Sequence, residues 1–133
     1  MKLEKWYRGH SGNQKATDNR GVIWLTSDYD YAQEYANEYP DGVVSAVFVD
    51  EDKIEATSGF DYDLDWYFPE DEDIQAIKND GYNAYYFEAG DGSECLALLS
   101  TEPIVKVEVN VDDIEEMVNE SIKKILKELY NGF

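Results

Sequence analysis

Hydrophobic and polar positions follow two rhythms along this chain, and the switches between them mark the elements. Residues 5–8 predict a short strand with Trp6 and Arg8 on one side, because alternate strand residues share a face. Residues 9–21 are polar and glycine-containing and predict a loop. Residues 22–26 form a compact apolar strand. Ser27 or Asp28 is placed to cap a helix running to about Tyr39, where Pro40 and Gly42 stop it. Tyr31, Ala32, Tyr35, Ala36 and Tyr39 recur at spacings of three and four, which predicts one helix face.

A near-continuous apolar run predicts a strand over 43–49, and 50–59 reads as a loop containing a turn. Residues 71–78 predict a short helix with Ile74 and Ile77 inward and Gly81 near its C-terminal end. Residues 82–87 and 94–99 predict two strands joined across the glycine turn at 89–92 as a hairpin. Residues 104–109 predict a further strand, with Val105, Val107 and Val109 alternating against Ile104, Lys106 and Glu108. Asp112 is placed to cap a last amphipathic helix to about Tyr130, with Ile114, Met117, Val118, Ile122, Ile125 and Leu129 as its apolar stripe. The sum is an α+β domain of about six strands spanning 1–133, with helices inserted early and placed at the end. Residues 60–69 mix aromatic and acidic side chains and give no clear period.

Composition narrows what such a domain does. The 133 residues are 43% hydrophobic and 31% charged, which is globular. No apolar run approaches the roughly 18 residues of a membrane span, and residues 1–5 carry no hydrophobic signal region. A cytoplasmic location is the expectation. Cys95 is the single cysteine and has no partner in the chain for a disulfide. The charge changes the picture most. There are 30 acidic and 11 basic residues, net −19. Direct binding to nucleic acid phosphates is excluded on that balance, because such affinity comes from Lys and Arg releasing counterions. A basic protein partner fits instead, drawn in by the field of the whole molecule.

Candidate chemistry is sparse. One His and one Cys leave little for a nucleophilic pair, and Cys95 sits inside an apolar strand. The same scarcity argues against zinc. Asp61, Asp63, Asp65 and Glu72 have the spacing of a calcium loop, but Trp66 stands where that loop demands glycine. No metal is expected. Arg8 precedes Gly9, and its planar fork suits phosphate or ribose oxygens. Thr26 and Ser27 lie where a strand passes into a helix. Glu94 opens an apolar strand just after a glycine turn, where a carboxylate can face a cleft.

In combination, Tyr7-Arg8-Gly9, then Trp24-Leu25-Thr26-Ser27 leading into a helix, then Glu94 ahead of Cys95-Leu96-Ala97-Leu98-Leu99 resemble the ADP-ribosyltransferase superfamily, in particular its small bacterial and phage-type members. Gly81-Tyr82-Asn83-Ala84-Tyr85 and Ile104-Val105-Lys106-Val107 are similar to two further strands of that group. The resemblance covers about residues 5–109 and leaves the last helix outside. It implies a split β-sheet core with peripheral helices. It also implies an NAD-dependent mono-ADP-ribosyltransferase acting on a macromolecule in a bacterial cell, phage or mobile-element encoded. Glu94 is then the catalytic carboxylate. Arg8, Gly9, His10, Thr26, Ser27, Tyr31 and Tyr35 are the NAD-binding residues, with Tyr31 or Tyr35 stacking on nicotinamide and Thr26 or Ser27 supporting Glu94. Two departures stand out. His10 follows Arg8 by two residues, which leaves an Arg-type or a His-type first strand open. Gly92 occupies the place, two before Glu94, where many arginine-modifying members carry Glu or Gln. The alternative class is a non-enzymatic acidic protein that occupies a basic partner surface, as nucleic-acid-mimic inhibitors of host defence do.

Overall fold

The computed structural model describes residues 1–16, 22–62, 70–89 and 92–111. The expected helix over 112–130, most of the aromatic and acidic stretch at 60–69, and Asp63, Asp65 and Trp66 of the calcium-like spacing lie outside the described residues.

The described chain is mixed α+β. Its strands are β1 (Leu3–Ser11), β2 (Ile23–Thr26), β3 (Gly42–Asp50), β4 (Ala56–Ser58), β5 (Ala84–Glu88), β6 (Glu94–Leu98) and β7 (Ile104–Glu108). Its helices are α1 (Tyr29–Ala36) and α2 (Asp71–Asn79). The strands form one seven-stranded sheet in the order β4-β5-β6-β2-β1-β3-β7. Neighbours are antiparallel except β4 and β5, which run parallel.

Pairing is uneven across the sheet. β1 and β3 match along their whole length, from Leu3↔Asp50 to Ser11↔Gly42. Among the described residues, β1 and β2 pair at Tyr7↔Thr26 alone. On one side of that seam lie β2, β6, β5 and β4; on the other lie β1, β3 and β7.

Residue parity defines the two faces. Trp6, Ile23, Leu25, Val47, Val49, Ala84, Leu96 and Leu98 form one buried cluster, closed over by Ala16 and Ile54 from the connections. The opposite face carries both helices. Ala32 and Ala36 of α1 pack with Val44, Ala46 and Val111. Ile77 of α2 packs with Val22, Tyr85, Ala97 and Leu99, with Ile74 partly buried beside it.

Local chemistry explains the helix ends. Asp28 caps α1 by accepting from Asp30 N at 2.9 Å. Glu70 and Asp73 form a capping box at the start of α2, satisfying amides that a helix leaves without internal partners. Gly81 follows α2 with φ +93, the left-handed conformation that ends many helices.

Several expectations need correction. The first strand runs on through Ser11, so 9–11 are strand rather than loop. The stretch 50–59 contains β4, which makes the seventh strand. The expected α1 face divides: Ala32 and Ala36 are buried, while Tyr35 is 47% and Tyr39 43% exposed. Helix α1 itself ends at Ala36, with further turns carrying the chain to Tyr39. In β7 the simple alternation fails, because the pairing shifts register between Phe48 and Val49. Ile104 and Val107 therefore both reach the Trp6 cluster, while Val105 and Val109 are exposed.

Candidate functional site

The three segments that carry the family-like motifs lie side by side. β2 sits between β6 and β1, so the end of β2, the start of β6 and the middle of β1 meet at one region of the sheet. The amide of Ser27 donates to the carbonyl of Glu94 at 3.0 Å, just beyond the Thr26↔Cys95 pair. Ser93 Oγ donates to Asp28 Oδ2 at 3.2 Å, which ties the approach to β6 to the cap of α1.

Parity then assigns each side chain to a face. Arg8 shares the Trp6 face and pairs across with Ser45. Glu94 shares the face of Leu96, and Leu96 is opposite Leu25 and Tyr86. Arg8 and Glu94 therefore belong to one face, on two sides of the β1–β2 seam. Arg8 is buried and donates through a guanidinium nitrogen to Ala16 O at 3.0 Å. Glu94 is exposed. Beside Arg8, Trp6 is 3% exposed, and its indole Nε1 has no hydrogen-bond partner among the described residues. Such an orphan donor is uncommon in a folded interior.

The other expected site residues are arranged differently. Thr26 pairs with Cys95 on the helix face, and its hydroxyl accepts from Asp28 N at 3.2 Å. The link from Ser27 to Glu94 is made by the backbone, and the Ser27 residue is exposed. Gly9 lies under α1. A Cβ there would stand 2.0 Å from Ala32 O and 2.7 Å from Ala36 N, so the close approach that glycine permits is to a helix. Tyr31 and Tyr35 ride on α1, on the opposite side of the sheet from Arg8 and Glu94. Their rings meet edge to face at 5.2 Å and their hydroxyls lie 3.2 Å apart. His10 is buried on the Trp6 face, with Nδ1 2.8 Å from Ser11 O and Nε2 2.7 Å from Ser45 Oγ.

Gly92 has φ +87. The turn into β6 needs a left-handed residue there, which a Glu or Gln would adopt only with strain.

Composition and motif spacing gave no notice of a second group of carboxylates. Glu4 lies two residues from Trp6 and shares its face. A hydrogen bond to Glu51 that only the protonated Glu4 can donate, with burial and the charges of Glu51 and Glu94, pushes its pKa up to about 6. Tyr86 is shifted upward by burial first and by Glu4, Glu51 and Glu94 after it. Lys2 pairs with Glu51 at 2.8 Å. The available signal was parity: Glu4, Trp6, Arg8 and His10 alternate along β1. Among the described residues, no group of three or more His, Cys, Asp or Glu is placed to hold a metal ion. Within the same residues, no helix is long and apolar enough to cross a membrane.

Comparison of the chain with protein-family models, with curated proteins and with solved structures gives no match in any of the three.

Proposed function

We propose that this chain is a mono-ADP-ribosyltransferase that uses NAD to modify a macromolecular target inside a bacterial cell, and that a phage or mobile element encodes it. The observation that carries this reading is the bond from Ser27 N to Glu94 O at 3.0 Å. It joins the second and third motif segments while β1 lies alongside, so Arg8 and Glu94 come to share a face. The thin β1–β2 seam supports the idea of a sheet split in the ADP-ribosyltransferase manner.

The residues on that face suit a dinucleotide. Arg8 carries a planar fork of the kind that suits phosphate or ribose oxygens, and NAD would have to displace its bond to Ala16 O to reach it. In transfer, the bond between the nicotinamide nitrogen and the ribose carbon breaks and its electron pair leaves with nicotinamide. A lone pair of the acceptor forms the new bond to that carbon, and the acceptor's proton passes to solvent. Positive charge develops on the ribose meanwhile. The Glu94 carboxylate would orient the sugar hydroxyl and stabilise that charge, an effect of about 3 kcal/mol for one well-placed group. Tyr31 and Tyr35 lie across the sheet from Arg8 and Glu94, so this reading gives them no part in stacking on nicotinamide.

Labelled NAD and a bacterial lysate test the reading. Wild type should label a macromolecule and Glu94→Gln should not, with both proteins folded. Equal labelling by the two would remove Glu94 from the site. The net charge of −19 favours a second reading, a binding-only acidic protein on a basic partner. That reading predicts salt-sensitive, NAD-independent binding that Glu94→Gln leaves unchanged.

A further inference from the structure

Helix α1 presents two parallel ladders. Asp30, Glu34 and Glu38 are spaced by four, and so are Tyr31, Tyr35 and Tyr39. Residues four apart on a helix are surface neighbours. Within α1, Asp30 and Glu34 run beside Tyr31 and Tyr35. Glu38 and Tyr39 follow on tighter turns beyond Ala36, where Glu38 N bonds Tyr35 O at 3.1 Å and Tyr39 N bonds Ala36 O at 3.1 Å.

All three acidic residues are exposed, Tyr35 and Tyr39 are 47% and 43% exposed, and Tyr31 is half-buried. From Asp28 to Asp41 the sequence holds no Lys or Arg. Among the described residues, Asp30, Glu34 and Glu38 make no ion pair. The ladders lie on the helix side of the sheet, away from the face of Arg8 and Glu94.

We infer that the α1 ladders form a docking surface for an arginine-rich segment of a partner protein. Carboxylates beside aromatic rings suit guanidinium groups in particular. The guanidinium fork pairs with a carboxylate through two parallel hydrogen bonds, and its flat face stacks on a tyrosine ring. A lysine ammonium is more strongly hydrated and lacks the flat face. Nucleic acid and anionic membrane carry the same sign as this surface and are repelled. The charge of the whole chain would draw the partner in, and the tyrosines would give the contact its location. This surface does not depend on NAD turnover.

The test is fluorescence anisotropy with labelled nona-arginine on the full chain at moderate salt. Alongside it, amide NMR locates the peptide. Three double variants are compared: Tyr35→Leu with Tyr39→Leu, Glu34→Gln with Glu38→Gln, and, as a control of equal charge change on exposed α2 residues, Asp71→Asn with Glu72→Gln. Binding should weaken about tenfold in each α1 pair, as expected for two lost cation–ring contacts or two lost charge-assisted bonds. The α2 pair should change it by less than about twofold. Wild-type amide shifts should concentrate at 28–41, and nona-lysine should bind more weakly. The proposal falls if both charge pairs weaken binding equally while the tyrosine pair has no effect, since that is diffuse attraction. It also falls if shifts spread over the whole surface. Spermine binding at 28–41 as tightly as nona-arginine would assign the surface to small polycations and overturn a protein partner. If the tyrosine pair fails to fold, the wild-type amide shifts alone decide. No arm contains NAD, so failure here and failure of the transferase reading are separate results.

Discussion

His10 Nε2 and Ser45 Oγ lie 2.7 Å apart between β1 and β3, both wholly buried. The other ring nitrogen, Nδ1, faces the carbonyl of Ser11 at 2.8 Å. A carbonyl only accepts, so Nδ1 carries the proton and Nε2 accepts from the Ser45 hydroxyl. Burial, with Arg8 nearby, lowers the His10 pKa below 6.5.

That neutral pair has a pH signature. The unfolded chain takes up the His10 proton near pH 6.5 and the folded chain only at lower pH, so stability is lost as pH falls through that window. Urea unfolding should show the advantage of wild type over His10→Gln narrowing between pH 8 and pH 5.5. Ser45→Ala should cost about 1–3 kcal/mol at pH 8, because a buried acceptor is left without its donor.

Glu4 shifts in the other direction. Its pKa of about 6 lies above the ordinary 4.5, so its ionised form is disfavoured in the folded state. The penalty is present above pH 6 and vanishes as pH falls below 4.5. Glu4→Gln should stabilise the protein at pH 7.5 by a few tenths to about 1 kcal/mol, as suits a solvent-screened site. The gain should disappear at pH 4, as read from urea midpoints at the two values.

Gly9 sets the distance between α1 and the sheet. A methyl group there meets Ala32 O at 2.0 Å, and neither backbone can yield without moving the helix. Gly9→Ala should cost about 3 kcal/mol or more in urea unfolding. A cost below about 0.5 kcal/mol would show that α1 does not sit on Gly9.

Asp28 serves the helix and the turn before β6 at once, through Asp30 N and Ser93 Oγ. Asp28→Ala should cost about 1–2 kcal/mol. Amide exchange should quicken at Asp30 and around Ser93 together. Faster exchange at Asp30 alone would show that the Ser93 contact carries no energy.

Elements set by local chemistry were legible in the chain. The Asp28 cap, the inward Ile77, and the hairpin across Gly92 all follow from period and turn residues. β4 was not legible: its three residues are strand only because β5, nearly thirty residues later in sequence, lies alongside. The bulge against β7 was hidden for the same reason, since a register shift belongs to the pair of strands. Within the candidate site, motif order anticipated the segments that meet but gave no information on faces. Gly9 looked like room for a ligand and is room for a helix. Tyr31 and Tyr35 looked like a stacking platform and lie across the sheet from Glu94. Parity through Tyr7↔Thr26 decides these assignments, and that pair forms between strands separated by a loop whose length conveys nothing of register.

That lone rung also has a geometric meaning. Among the described residues, the long β1–β3 ladder and the β2–β6–β5 ladder are joined by one residue pair, with the Trp6 cluster packed across the join. Arg8 rides on the first ladder and Glu94 on the second. The separation of guanidinium and carboxylate is therefore set by how the two ladders meet, and not by the rotamers alone.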